Sequence, residues 1–221
     1  MTNRIQQLNR YLFEKHSTKF AVLYSFSLIL LIFLIPFFLS EFNITRLYYR
    51  IYFSGFIILS TFVSEHRKIY TYIIAFVAIL ATNFIHLDDP NNHLLIFRVV
   101  IVTIYFLVIL NNIIMDILKS MISMRMLVQT INGYLLIGLI FGEIYKIVHL
   151  LNPNAFNFIA DDLYNHFYMS FVVLTSVGLG DLLPLSPGAK ALVMLNGVCG
   201  QIYSIFFVSV IIGKFLGKKS E

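Results

Sequence analysis

The chain has 221 residues, of which 59% are hydrophobic and only 12% charged, and its mean hydropathy is +0.84. A soluble domain carries about 25% charged residues, so the composition argues against a water-soluble globule and leaves no room for a soluble catalytic or nucleotide-binding domain. The net charge of +5 comes from basic residues at the ends of apolar runs, which points to membrane topology and away from nucleic acid.

In chain order, residues 1–19 read as a cytoplasmic N-terminus. Residues 21–40 carry no charge and are interrupted only by Pro36. This run is too long for the apolar region of a cleavable signal, and no small-residue cleavage pattern follows it. Further apolar runs cover 51–64, 69–85 and 94–115, the last carrying Arg98. A short polar stretch, 116–126, then separates these four runs from the rest. The fifth run covers 127–142 and continues less cleanly to 151, and a sixth covers 191–213. A bilayer-spanning helix needs about 20 residues. Continuous, non-alternating runs favour helices over strands. The expected fold is therefore an all-α membrane protein of six transmembrane helices. Its expected parts are a four-helix domain over 20–118, a linker at 119–126, a pore domain at 127–217 and a tail at 218–221.

Orientation follows from Lys and Arg. With the N-terminus inside, 11 of the 16 basic residues fall on the inner side, and both termini are expected in the cytoplasm. The single cysteine, Cys199, leaves no disulfide framework and no Cys-x-x-Cys metal site. His86, Asp88, Asp89 and His93 lack compact ligand spacing and read as a solvated loop. No Ser/His/Asp or Cys/His arrangement is present, so no enzymatic role is expected.

Between the fifth and sixth runs, 151–187 does not read as an ordinary loop. Asn152-Pro153 makes a turn, and Asp161-Asp162 looks like a helix cap with acidic first-turn residues. Residues 163–175 then form an apolar helix too short to span. It ends in Thr175-Ser176-Val177-Gly178-Leu179-Gly180-Asp181. A half-membrane helix followed by glycine-rich extended chain is the pattern of a re-entrant loop, tolerated only where the backbone is buried in protein or lines a water-filled path.

Thr175–Asp181 resembles the selectivity filter of potassium channels, where rings of backbone carbonyls replace the hydration shell of the ion. Asn132-Gly133-Tyr134 through Leu139, Asn152-Pro153-x-x-Phe156 and Gly200-Gln201-Ile202-Tyr203 resemble the outer and inner pore helices of bacterial six-helix potassium channels. The resemblance covers about 127–217; the first four runs agree only in number and topology. It implies a homotetramer in the bacterial plasma membrane that conducts K+ passively, with no cofactor besides the permeant ion. It also implies ion sites formed by Thr175, Ser176, Val177, Gly178, Leu179 and Gly180, with K+ at the carbonyls of Ser176, Val177, Gly178 and Leu179. Gly178 and Gly180 supply the unusual backbone angles, and the negative end of the preceding helix favours a cation.

Two departures bear on selectivity. Leu179 replaces the usual filter tyrosine, and Met169 replaces the tryptophan it contacts. Tyr168 stands where another tryptophan is common, with its hydroxyl placed to reach Asp181. A nonselective monovalent cation channel of the same architecture is therefore the alternative; a potassium-transporter subunit fits less well, because such proteins carry four pore-loop repeats in one chain. Glu143, a turn from Lys146, is expected to brace the outer pore. Gly197 and Gly200 are expected either as a hinge or as close-packing positions, with Val208 and Ile212 near a cytoplasmic constriction. Arg98 is one shallow charge, read as snorkelling, so weak or absent voltage dependence is expected. Asn111 and Asn112 read as interhelical hydrogen bonders, and Asn196 faces either a cavity or a neighbouring helix.

Overall fold

The computed structural model describes residues 18–34, 46–63, 69–84, 93–159 and 163–218. Among them the chain is helical and has no strand. Helix α1 (Thr18–Ile32) runs into a π-helical turn at Leu30–Leu34. It is followed by α2 (Arg46–Thr61), α3 (Ile69–Phe84), α4 (His93–Lys119), α5 (Met124–Leu151), α6 (Leu163–Leu174) and α7 (Pro187–Lys218). Among the described residues α4, α5 and α7 up to Leu216 are long and apolar enough to cross a membrane. Apolar stretches in α1, α2 and α3 are shorter, at Thr18–Ile32, Ile51–Thr61 and Ile69–Asn83. Six spans were expected. Three full-length helices and three shorter apolar ones are described, and part of the first expected run lies outside the described residues.

The outer helices pack through aromatic rings. Tyr24 of α1 stacks on Phe56 of α2 at 5.3 Å, and Phe106 of α4 meets Phe53 and Phe56 edge-on at 6.1 Å. Lipid tails are as apolar as these side chains, so burial alone does not hold helices together in a bilayer; hydrogen bonds and close packing add specificity. The Tyr105 hydroxyl donates to the Ile57 carbonyl at 2.8 Å and pairs with the Ser60 hydroxyl. Asn112 Nδ2 donates to Thr71 Oγ1 at 3.2 Å, joining α4 to α3 as expected, whereas Asn111 is exposed. Ser25 donates to Asn132 Oδ1 at 2.6 Å, and Asn132 Nδ2 reaches the Ala21 carbonyl at 3.2 Å, tying α1 to α5.

The break between α4 and α5 is shorter than the linker expected at 119–126. Helix α4 continues to Lys119 and α5 begins at Met124, capped by Ser123, whose hydroxyl accepts from the Met126 N–H at 3.3 Å. The polar residues that make this stretch look like a loop are paired inside. Arg125 Nη2 meets Asp116 Oδ2 at 3.2 Å and donates to the Val63 carbonyl at 3.1 Å. Gln129 Nε2 reaches the same carbonyl at 3.0 Å. From α7, the Lys214 ammonium donates to the carbonyls of Ile117, Leu118 and Ser120 at 2.7, 3.1 and 2.6 Å. It thereby caps the α4 C-terminus, whose last carbonyls have no intrahelical partner.

Helix α6 lies against α5 along glycines one turn apart. A Cβ at Gly138 would overlap the ring of Phe171, and one at Gly142 the ring of Phe167. The two aromatic residues are likewise four apart, so an aromatic pair on α6 seats in a glycine groove on α5. Ser170, between them, donates to the Gly138 carbonyl at 2.7 Å. Helix α7 is the least covered of the long helices. Met194, Leu195, Val198, Ile202, Ile205 and Phe206 are all exposed, an apolar face that one copy of the chain leaves unpartnered.

Candidate functional site

The α5–α7 connection is built so that both ends of a loop are pinned. Asn152 ends α5, its N–H bonded to the Val148 carbonyl at 2.9 Å, and its side chain accepts from the Asn154 N–H at 3.1 Å, an Asx turn. Beyond it, residues 155–157 pair with residues 181–185. The Leu185 N–H donates to the Ala155 carbonyl at 2.8 Å and the Asn157 N–H to the Leu183 carbonyl at 3.1 Å. Asn157 also uses its side chain twice, accepting from the Leu183 N–H at 2.7 Å and donating to the Asp181 carbonyl at 3.1 Å. The segment entering α6 is thus tied to the segment that follows residues 175–180. The expected cap Asp161-Asp162 lies outside the described residues.

Helix α6 ends at Leu174, and its last carbonyls are all taken. Phe171 accepts from the Thr175 N–H at 3.0 Å and from the Thr175 hydroxyl at 2.7 Å. Val172 accepts from the N–H groups of Val177 and Gly178 at 3.0 and 3.2 Å, and Val173 from Ser176 at 3.0 Å. The Leu174 carbonyl accepts from the Tyr134 hydroxyl of α5 at 2.9 Å. The negative helix end therefore organises the amides that follow it.

From there the backbone alternates in hand. Ser176, Gly178 and Gly180 have φ of 60°, 57° and 77°, with Val177 and Leu179 between them at negative φ. Alternating right- and left-handed residues turn successive N–H groups to one side of the chain, and those of Val177 and Gly178 turn back to α6. The carbonyls of residues 175–180 accept no hydrogen bond among the described residues. Glycine adopts positive φ at no steric cost; Ser176 does not, and the position costs on the order of 1–2 kcal/mol. Thr175 through Gly180 are exposed in one copy of the chain.

Of the expected support residues, Tyr168, Met169 and Asp181 lie beside this stretch. The Tyr168 hydroxyl donates to Asp181 Oδ2 at 2.8 Å. That bond holds the Asp181 carboxyl below the usual carboxylate range and raises the tyrosine. Met169 is buried and lines a cavity of about 160 Å³ behind Gly178–Gly180, with Val172, Leu182, Pro184 and Val193. Leu179 is 65% exposed and Val177 60%. Glu143 is buried on α5, where the cationic Lys146 and Arg98 act on its carboxyl electrostatically. Arg98 on α4 is half-buried.

On α7, Gly200 lies where a Cβ would overlap the Leu174 carbonyl and side chain, whereas a Cβ at Gly197 would make ordinary contact with Val173. Helix α7 runs unbroken through both; close packing accounts for Gly200. Val208 and Ile212 are exposed. Asn196 faces the neighbouring helices, donating from Nδ2 to the Tyr145 hydroxyl at 2.9 Å and the Ser170 carbonyl at 3.1 Å. Asn157 and the buried pair His149–His166, 3.0 Å apart, belong to no sequence motif, and Tyr134 and Gln201 stand only within the pore-helix strings. A signal existed for Gln201, which stands in an otherwise apolar stretch of α7.

Residues 130–216 match a family model described as an ion channel. The matched segment begins within α5 and ends near the end of α7, enclosing the whole site. No curated protein matches the chain, and no solved structure does.

Proposed function

We propose that the chain is one subunit of a potassium-selective channel that conducts K+ passively across the bacterial plasma membrane as a homotetramer, with both termini cytoplasmic and with weak or no voltage gating. The observation that carries this reading is the alternating-hand backbone from Ser176 to Gly180 directly after a non-spanning helix. Such a strand offers a row of carbonyl oxygens along one side, the ligand type that substitutes for an alkali ion's hydration shell. One row cannot surround an ion, so four copies are required about a common axis. The apolar face that α7 leaves open is where neighbouring copies and the cavity wall belong. In this reading α6 and residues 175–181 form the re-entrant pore loop, with K+ at Ser176, Val177, Gly178 and Leu179.

A second reading, a nonselective monovalent cation channel, is favoured by one observation. Leu179 replaces a polar aromatic and Met169 is apolar, so this pair of positions cannot restrain the filter through a hydrogen bond of its own. Recording from reconstituted vesicles under opposed sodium and potassium gradients separates the two. A reversal potential near that of potassium supports selectivity, one near zero supports the second reading, and no current defeats both. The mass of the detergent complex tests the tetramer.

A further inference from the structure

Gln201 stands one residue beyond Gly200, where α7 approaches α6 so closely that a side chain would not fit. Its Nε2 donates to Ser176 Oγ at 2.7 Å. Ser176 is the non-glycine residue held at positive φ, and its N–H is taken by Val173. The hydroxyl of a serine has one proton and two acceptor lone pairs. With one lone pair engaged by Gln201, its orientation is fixed and a second lone pair stays open to a ligand. The amide oxygen of Gln201 takes no hydrogen bond among the described residues, and the residue is exposed in one copy of the chain. Nothing else described on α7 donates to the 175–181 stretch.

We infer that Gln201 is a positioning and specificity-determining residue at the inner mouth of the pore, a role that rests on the channel reading above. Its amide N–H fixes the Ser176 hydroxyl as an oxygen ligand for a monovalent cation entering the innermost site. In four copies, the Gln201 amide oxygens add a second ring of neutral dipoles beside that site. A neutral oxygen ring coordinates a singly charged ion without trapping it, whereas a carboxylate ring there would hold divalent cations, because the attraction grows with the product of the charges.

The experiment compares Gln201→Met, which keeps length but neither donates nor accepts an ordinary hydrogen bond, with Gln201→Glu and Ser176→Ala in reconstituted tetramers. The readouts are the sodium-to-potassium permeability ratio and block by barium applied from the cytoplasmic side. Gln201→Met is expected to raise the permeability ratio by about 3- to 10-fold, and Ser176→Ala to add little in the double variant, since both remove one interaction. Gln201→Glu is expected to strengthen internal barium block by 10-fold or more while leaving external block nearly unchanged. Both variants keeping wild-type permeability and internal barium affinity overturns the assignment, as does full additivity with Ser176→Ala. If a variant fails to assemble by mass, the other decides. A wild-type protein that conducts sodium and potassium equally, yet shows these changes in barium block, defeats potassium selectivity and leaves the Gln201 role standing; a silent wild type overturns both.

Discussion

At Ser176, Tyr168 and Asp181 single side chains hold an otherwise unfavourable strand. Ser176 occupies a conformation that glycine would adopt freely, and keeps a hydroxyl that glycine lacks. Across the strand, the bond from Tyr168 to Asp181 gives the loop a defined pH dependence. Because the carboxylate accepts it, Asp181 is depressed. The bond is in place above the ordinary aspartate range, near pH 3.9, and is lost as pH falls through the lowered value. Tyr168→Phe returns Asp181 toward its ordinary value, so the external pH at which current fails on acidification is expected to rise. An unmoved acid limb would show that this contact does not hold the conducting form. Leu179→Tyr introduces a hydroxyl at this position and is expected to alter selectivity or inactivation in the bi-ionic recording; identical behaviour in both measures would mean that lateral restraint does not operate at this position.

Between elements, the contacts that matter are short-range and steric. Gly138→Ala places a methyl against the Phe171 ring and is expected to lose about 1–3 kcal/mol, as overpacked sites do. Thermal unfolding in detergent measures this, and Phe171→Leu in the same chain should recover most of it. At the α4–α5 corner, Asp116→Leu strands the Arg125 charge and is expected to cost about 3–5 kcal/mol. Adding Arg125→Met restores much of the loss, since Gln129 still serves the Val63 carbonyl. That corner also shows what a sequence conceals. Asp116, Lys119 and Arg125 resemble a solvated linker because charges usually mark loops, yet Asp116 and Arg125 satisfy each other inside. The Gly-x-Gly string and the short apolar helix were legible because local backbone need and hydrophobic length fix them. The partners of Asn157 and Gln201 were not, and for Asn196 a cavity and a neighbouring helix were equally open. Each acts through a partner 24 to 51 residues away, and no local period announces such a pairing.

Across the whole molecule charge is scarce, and among the described residues Arg125 pairs with Asp116 and Lys214 with the carbonyls at the end of α4. A charge crossing the full field gains about 2.3 kcal/mol per 100 mV, so steep voltage gating needs several mobile cations. Helix α4 offers Arg98 as the one cation within its apolar run. A nearly linear current–voltage relation in symmetrical potassium is the expected outcome, and a steep sigmoid would show that another element carries charge across the field. The class of the protein was legible at this scale, since apolar length alone dictates helices in a bilayer, while the number of full-length helices was less so: α1, α2 and α3 are short within the described residues.

The ammonium of Lys214 has three donors and three carbonyls to receive them at the end of α4. Its nitrogen is thus spent like a metal ion in a cage, with no hydrogen left for water. Splaying the far end of α7 outward would strip those oxygens together and strand a cation at the lipid boundary. Helix α7 is therefore riveted near its end to α4, and in the channel proposed above the outer helices would hold one end of the pore wall.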